Sequence, residues 1–355
     1  MTIAECFIFV KERTCSSAGD DIWRYEMRFL DQEISPIGMG CWPIGGPMFA
    51  GNETVGYANS DDVESVRTIH AALASGITLF DTAPAYGAGR AERLLARALK
   101  GRPDALIATK IGVAIDEESK QLLGNEEGPG TVGTAIEASL TRLGRDRIDL
   151  LLLHLNSLSV ARAEAIFDEV ERARIAGNVG AYGWSTDFSV NLSCVAERPG
   201  FAAVEHAMNV LLDAPRMQGI VDEYNLNALI RSPLAMGLLS GKYNAQSTMP
   251  DTDIRSTSNP RTNYFKDAAG NPEYLQRLDA VRDLLTTGRR SLVQGAVGWL
   301  WARGQTNIPI PGIRTVEQLE DIAEALSFGP LPASVMGEIE TVIERSPAEA
   351  IDRAR

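Results

Sequence analysis

Residues 76–92 read GITLFDTAPAYGAGRAE, and the fold is decided here. The apolar run from Ile77 to Phe80 is short and rich in β-branched and aromatic residues, as in a buried strand, and it ends on a carboxylate, Asp81. Pro84, Gly87 and Gly89 then supply loop chemistry around Tyr86, and from Ala91 the sequence AERLLARALK takes up helical spacing. Two further strands end in the same way: ALIATK closes on Lys110 and IDLLLLH on His154.

Working outward, the same unit repeats. RFLDQEISPIG, opening after Met27, reads as a short hairpin, and PIGMGCW as a glycine-rich strand end followed by a long loop to Asn59. SDDVESVRTIHAALASG is an amphipathic helix with Ser60 as N-cap and Gly76 as its stop. Strands are expected at 105–109, 148–154, 179–184, 201–210, 228–232 and 306–312, with helices between them at 131–143, 159–177, 215–224, 272–285, 291–302 and 315–326. Residues 116–130 read as a polar loop, residues 244–271 as a lid or binding loop, and a last helix near 333–343 falls outside the repeat. Strands joined by helical crossovers must run parallel, and eight such units without a linker predict a single (β/α)8 TIM barrel with an N-terminal β-hairpin and an extra C-terminal helix. The competing doubly wound sheet lacks its GxGxxG opening, because GMGCWPIGG leads into a loop, not a helix.

Composition narrows the function. The chain has 355 residues, 45% of them hydrophobic, enough for one large core, and its net charge of -13 argues against a nucleic-acid surface. Cys6, Cys15, Cys41 and Cys194 have neither CxxC spacing nor a disulfide framework, so no metal site is expected and a reducing, cytoplasmic setting fits. No apolar run reaches membrane length. Residues 1–26 show no clear period and read as a disordered extension or an overcalled start, leaving 27–355 as the barrel domain.

Asp81, Tyr86, Lys110 and His154 all fall at strand ends or in the following loops, and in a barrel these share the C-terminal rim. Taken singly, each has an ordinary use as cap, packing residue, solvated charge or core histidine. Together they are chemically complementary. A phenol titrates near a pKa of about 10, a neighbouring ammonium lowers that value, a carboxylate holds the ammonium, and an imidazole can polarise a carbonyl. Such a set protonates an oxygen while hydride reaches carbon.

The DTA, YG and following glutamate of residues 76–92, with a strand-end lysine and histidine in that order, resemble the signature of the aldo-keto reductase superfamily, over about 28–343. The resemblance implies a barrel that binds NADPH, less often NADH, across its rim. It implies Tyr86 as general acid/base, with Asp81, Lys110 and His154 completing a tetrad. It further implies that Asp81 and the segment Gly40, Cys41 and Trp42 line the cofactor. Ser185 matches the carboxamide-binding serine, with Thr186 where asparagine is usual and Glu205 where glutamine is usual. A carboxylate at 205 can still accept the amide NH2, and it favours the oxidised, positively charged ring. Arg231 matches the side chain stacked on the nicotinamide. Ser232, Pro233, Leu234, Gly237, Leu239, Ser240 and Lys242 match the segment over the pyrophosphate. Gly312, Arg314, Gln318 and Asp321 match the adenosine 2'-phosphate segment, Asp321 standing where glutamate is usual and Ile322 where asparagine is.

The implied activity is NADP(H)-dependent reduction of a small-molecule carbonyl, or oxidation of an alcohol or sugar. The alternative within the fold is a nucleotide-binding regulatory subunit of slow turnover. A barrel hydrolase using paired carboxylates fits less well, since the rim acids come with Lys, Tyr and His.

Overall fold

A computed structural model describes residues 10–15, 21–128, 130–256 and 263–345. Eight strands make one sheet, numbered here along the chain as β1 Gly38–Gly40, β2 Leu79–Asp81, β3 Leu106–Ile111, β4 Ile148–Leu153, β5 Val179–Ser185, β6 Phe201–Ala207, β7 Asn227–Arg231 and β8 Asn307–Pro309. Each pairs in parallel with the next. The ring closes where the Gly40 amide donates to the Pro311 carbonyl at 2.9 Å and Gly40 bridges Gly312. A Cβ on Gly40 would lie 2.6 Å from the Ile310 carbonyl oxygen, so glycine is required where first and last strands meet.

The strands are buried on both faces, as parallel strands under helices must be. Leu79, Leu106, Ala108, Leu150, Leu152, Ala203 and Leu229 point inward and pack against Met27, Phe29 and Ile34, three residues of the N-terminal hairpin. That hairpin, made by Asp21–Phe29 and Gln32–Ile34, pairs Met27 with Ile34 and Phe29 with Gln32 and plugs the barrel at one end. The other end is left for chemistry. Within the segment expected to be an extension, residues 1–9 and 16–20 lie outside the described residues, while Val10–Cys15 pairs antiparallel with the start of Asp21–Phe29.

Helices cover the outside, each begun and ended by local chemistry. Thr131–Leu143 stops at Gly144, whose φ of 61° suits glycine, and Ser291 and Gln294 form a reciprocal capping box on Leu292–Arg303. The C-terminal helix Ala333–Val342 packs beyond the eighth unit.

Two local readings are corrected. Helix Asp62–Ala74 is capped by Asp61, which accepts from the Glu64 amide at 2.7 Å, and not by Ser60. Ser60 Oγ instead accepts from Arg90 Nη1 at 2.5 Å. The polar loop at 116–130 carries structure: Val113–Asp116 and Gln121–Asn125 form an antiparallel pair that joins Phe49–Ala50 and Glu53–Thr54 in a small sheet. Its cause is alternation too brief to stand out in sequence, with Ile115 and Leu122 packed against the cluster of Met48, Val55 and Tyr57.

Candidate active site

Asp81 ends β2, Lys110 lies near the end of β3, Glu205 near the end of β6, and His154 directly follows β4. Parallel register brings these ends to one rim: Asp81 pairs with Ala108, Lys110 with Leu152, and Ser185 with Glu205. Lys110 is fully buried, and an ammonium has three N–H bonds to place. They go to Asp81 Oδ1 at 2.5 Å, the Thr82 carbonyl at 3.1 Å and the Tyr86 hydroxyl at 3.2 Å. Four predicted catalytic residues thus meet, since the His154 ring stands edge-on to Tyr86 with centroids 6.3 Å apart.

Tyr86 is seated by its loop. Its ring stacks on Trp42 at 6.0 Å, and Gly87 passes so close to Gly45 that a Cβ at 87 would lie 1.8 Å from the Gly45 carbonyl oxygen. Gly87 also has φ of 68°, a conformation that favours glycine. Arg90 fastens the same junction, donating from Nη1 to the Ile44 carbonyl at 2.8 Å and the Gly45 carbonyl at 3.1 Å while pairing with Asp62. Arg90 carries no catalytic pattern in sequence, so only the contacts reveal it. Glu92 is buried behind β3, accepting from Thr109 Oγ1 at 2.7 Å and Arg142 Nε at 2.5 Å, and is structural.

The electrostatics differ from the expectation in two respects. A second carboxylate reaches the ammonium, with Glu205 Oε2 at 3.0 Å from Lys110 Nζ and Glu205 only 2% exposed. Lys110 is held well above the usual lysine range: burial opposes its charge, but Asp81, Glu205 and Tyr86 more than compensate. Burial and the neighbouring Glu205 charge push Asp81 up, although Lys110 opposes them. Glu205 is held below the usual range because Lys110, His154 and Arg231 overcome its burial. The Tyr86 phenol is raised, not lowered, because burial outweighs Lys110, and Asp81 and Glu205 cancel part of the lysine's effect.

The remaining candidates divide. Cys41 is buried, its amide bonded to the Asp81 carbonyl at 2.8 Å and its Sγ 3.6 Å from the Met39 carbonyl, which ties its backbone to the rim. Ser185 Oγ donates to Glu205 Oε1 at 3.2 Å. The Thr186 hydroxyl is committed to the Asn156 carbonyl at 2.7 Å. Arg231 pairs with Asp187 at 2.5 Å, and Asp187 in turn accepts from Asn156 Nδ2 and the Ala207 amide, each at 2.9 Å. In sequence Thr186 or Asp187 reads as the cap of the short helix that follows, but that helix, Ser189–Ser193, begins after Phe188, and Asp187 is engaged at the rim instead.

After β7 the backbone is contorted: Ser232, Ala235, Met236 and Gly237 all have positive φ, between 49° and 99°. Non-glycine residues in this region store strain of about 1–3 kcal/mol each, typical of ligand-shaped loops. Pro233 and Leu239 are buried, Ser240 Oγ returns to the Gly237 carbonyl at 2.7 Å, and Lys242 is exposed. Beside this segment Arg255 is buried, bonded to Asp253 at 2.8 Å and Tyr243 at 2.8 Å, and set over the rings of Tyr57, Tyr243 and Phe265.

Gly312 and Arg314 follow β8 at the barrel seam. Arg314 Nη1 donates to the Ala58 carbonyl at 3.0 Å, and its amide to Gln318 Oε1 at 3.0 Å. The first amide of helix Val316–Phe328 donates to Glu64 Oε1 at 3.2 Å, so a side-chain carboxylate already sits where an anion is favoured. Asp321 lies away from this end, accepting from Ser291 Oγ at 2.7 Å and Gln294 Nε2 at 3.1 Å, and Ile322 is core.

Among the described residues no helix is long and apolar enough to cross a membrane, and no group of three or more His, Cys, Asp and Glu is placed to hold a metal.

A closed parallel barrel with its ionisable groups gathered on the C-terminal rim defines the class, a (β/α)8 protein of enzymatic design. The Aldo/keto reductase family matches residues 36–344, and this chain belongs to it. It is 30% identical over 335 residues to the aldo-keto reductase YhdN of Bacillus subtilis, covering 90% of this chain and 93% of the relative. It is 25% identical over 345 residues to an NADH-specific methylglyoxal reductase of Escherichia coli, covering 91% and 97%. Among solved structures it is similar to the glycerol dehydrogenase AKR11B4 of Gluconobacter oxydans, with a TM-score of 0.75 at 27% identity, covering 91% and 98%.

Proposed function

We propose that this protein is an NADP(H)-dependent oxidoreductase that interconverts an aldehyde or ketone with its alcohol, Tyr86 serving as general acid and base. The observation that carries the reading is the buried Lys110 ammonium, held by Asp81 and donating to the Tyr86 hydroxyl at 3.2 Å.

The residues suit a nicotinamide cofactor at one telling atom. Glu205 Oε2 is buried with Lys110 Nζ at 3.0 Å as its one close partner, and a carboxylate oxygen has a further lone pair that can accept from a carboxamide NH2. The reduced cofactor, when bound, supplies the hydride that goes to the carbonyl carbon. Tyr86 gives its hydroxyl proton to the carbonyl oxygen, so one hydride and one proton convert carbonyl to alcohol. Lys110 stabilises the phenolate left behind, Asp81 keeps Lys110 in place, and His154 orients the carbonyl beside the phenol. In the reverse direction the phenolate takes the alcohol proton.

Arg314 and the N-terminus of helix Val316–Phe328 support a 2'-phosphate, a dianion suited to a guanidinium and to helix amides. Glu64 must release the Val316 amide for this to happen. The test is a panel of aldehydes, ketones, polyols and sugars assayed in both directions with NADP(H) and NAD(H). Turnover with the phosphorylated cofactor at higher kcat/KM supports the reading; better efficiency with NAD(H) overturns the cofactor assignment, and absence of turnover overturns the reaction.

A further inference from the structure

Glu205 is the group that the acid/base assignment does not use. It is buried, its Oε1 accepts from Ser185 Oγ at 3.2 Å, and its Oε2 lies 3.0 Å from Lys110 Nζ, an ammonium that also bonds Asp81, the Thr82 carbonyl and Tyr86. The groups facing it are Lys110 from β3, Asp81 from β2, Tyr86 from the loop after β2, His154 after β4 and Arg231 from β7. Arg231 is balanced by Asp187 at 2.5 Å. One ammonium therefore serves two buried carboxylates, and Glu205, held below the usual carboxylate range, presents its charge in a site shielded from water. Such a charge acts strongly on any cation brought beside it.

We infer that Glu205 is a redox-state discriminator: it makes this site hold the oxidised, cationic nicotinamide more tightly than the reduced, neutral one. The inference rests on the function proposed above and deepens it. Tighter hold on the oxidised form makes the bound reduced cofactor a stronger hydride donor, and makes oxidised cofactor a strong product inhibitor of carbonyl reduction. The overall equilibrium of the reaction is untouched. What changes is which form occupies the enzyme. The same cation replaces the positive charge that the second carboxylate takes from Tyr86, so the phenol becomes easier to ionise once oxidised cofactor is bound.

The test is calorimetric titration of the wild-type protein, Glu205→Gln and Glu205→Asp with NADP+ and with NADPH. The wild type is expected to bind NADP+ more tightly than NADPH. In Glu205→Gln the ratio of the two dissociation constants should move toward NADPH by about tenfold or more, which is about 1.4 kcal/mol. Glu205→Asp, which keeps the charge, should stay near the wild-type ratio. Equal losses of both affinities in Glu205→Gln mark a structural role and overturn the inference, as does an unchanged ratio. Should Glu205→Gln not fold, the wild-type ratio decides, and tighter NADPH binding overturns the inference. Failure of the wild type to bind either nucleotide is a different result, which removes the proposed function and the inference with it.

Discussion

The Lys110 ammonium nitrogen lies 3.2 Å from the Tyr86 hydroxyl oxygen and 5.0 Å from the centre of its ring. The lysine thus donates to the phenol oxygen and also lies near its ring. Replacing Lys110 by Met removes this cation and leaves Asp81 and Glu205 buried together without a counter-ion. Breaking a buried charge cluster in this way destabilises by about 3–5 kcal/mol. In the variant both carboxyl pKa values lie above their unfolded values, so the loss is largest at neutral pH and shrinks as pH falls and the pair takes up a proton. Urea unfolding at pH 8 and pH 5 measures it; a deficit that grows on acidification contradicts the assignment.

The raised phenol makes a second prediction. With Tyr86 as the proposed acid, carbonyl reduction needs the protonated phenol, so its rate should hold level from neutral pH past 9. Alcohol oxidation needs the phenolate and should climb over the same range. Profiles of kcat/KM in the two directions check this. A reduction rate that falls through a midpoint near 7 would mean that Lys110 wins over burial after all.

Glu64 Oε1 accepts from the Val316 amide at 3.2 Å, the helix amide assigned above to the proposed 2'-phosphate. Glu64→Gln removes a competing carboxylate from a helix N-terminus, an effect of about 0.3–1 kcal/mol, or roughly two- to fivefold. NADPH affinity should rise by that factor while NADH affinity stays put. Equal gains for both nucleotides would place Glu64 outside the phosphate's reach.

A Cβ at Gly87 has nowhere to go beside Gly45. Gly87→Ala should therefore displace the Tyr86 loop, destabilise the protein by about 1–3 kcal/mol and lower kcat more than it raises KM. Thermal unfolding and steady-state kinetics read the two effects separately. A variant with wild-type kcat would show that the glycine contact does not position Tyr86.

Much of this architecture is legible in sequence, for stated physical reasons. Buried parallel strands are continuous apolar runs, and residues ending them, such as Asp81 and Lys110, are fixed on the rim by strand polarity alone. The helices Thr131–Leu143, Pro215–Tyr224 and Pro272–Leu285 fall where their caps, prolines and periodicity put them. The hairpin at Val113–Asp116 and Gln121–Asn125 was hidden because its strands are short and their partners, Phe49 and Met48, lie far back in the chain. The sign of the Tyr86 shift was equally hidden, since it depends first on burial, with Asp81 and Glu205 adding to it, and burial is set by packing that the local sequence does not show. Arg255 and Asp253 read as lid polarity, yet they form a buried pair enclosed by three aromatic rings.

The central claim, that the Tyr86 hydroxyl is the proton donor, is tested most directly by Tyr86→Phe. Carbonyl reduction is measured under saturating NADPH alongside nucleotide affinity by calorimetry. Loss of a general acid lowers kcat by about 10²–10⁴, and the account predicts that loss with NADPH affinity preserved. A Tyr86→Phe protein that binds NADPH normally and reduces the carbonyl at near wild-type kcat would contradict it.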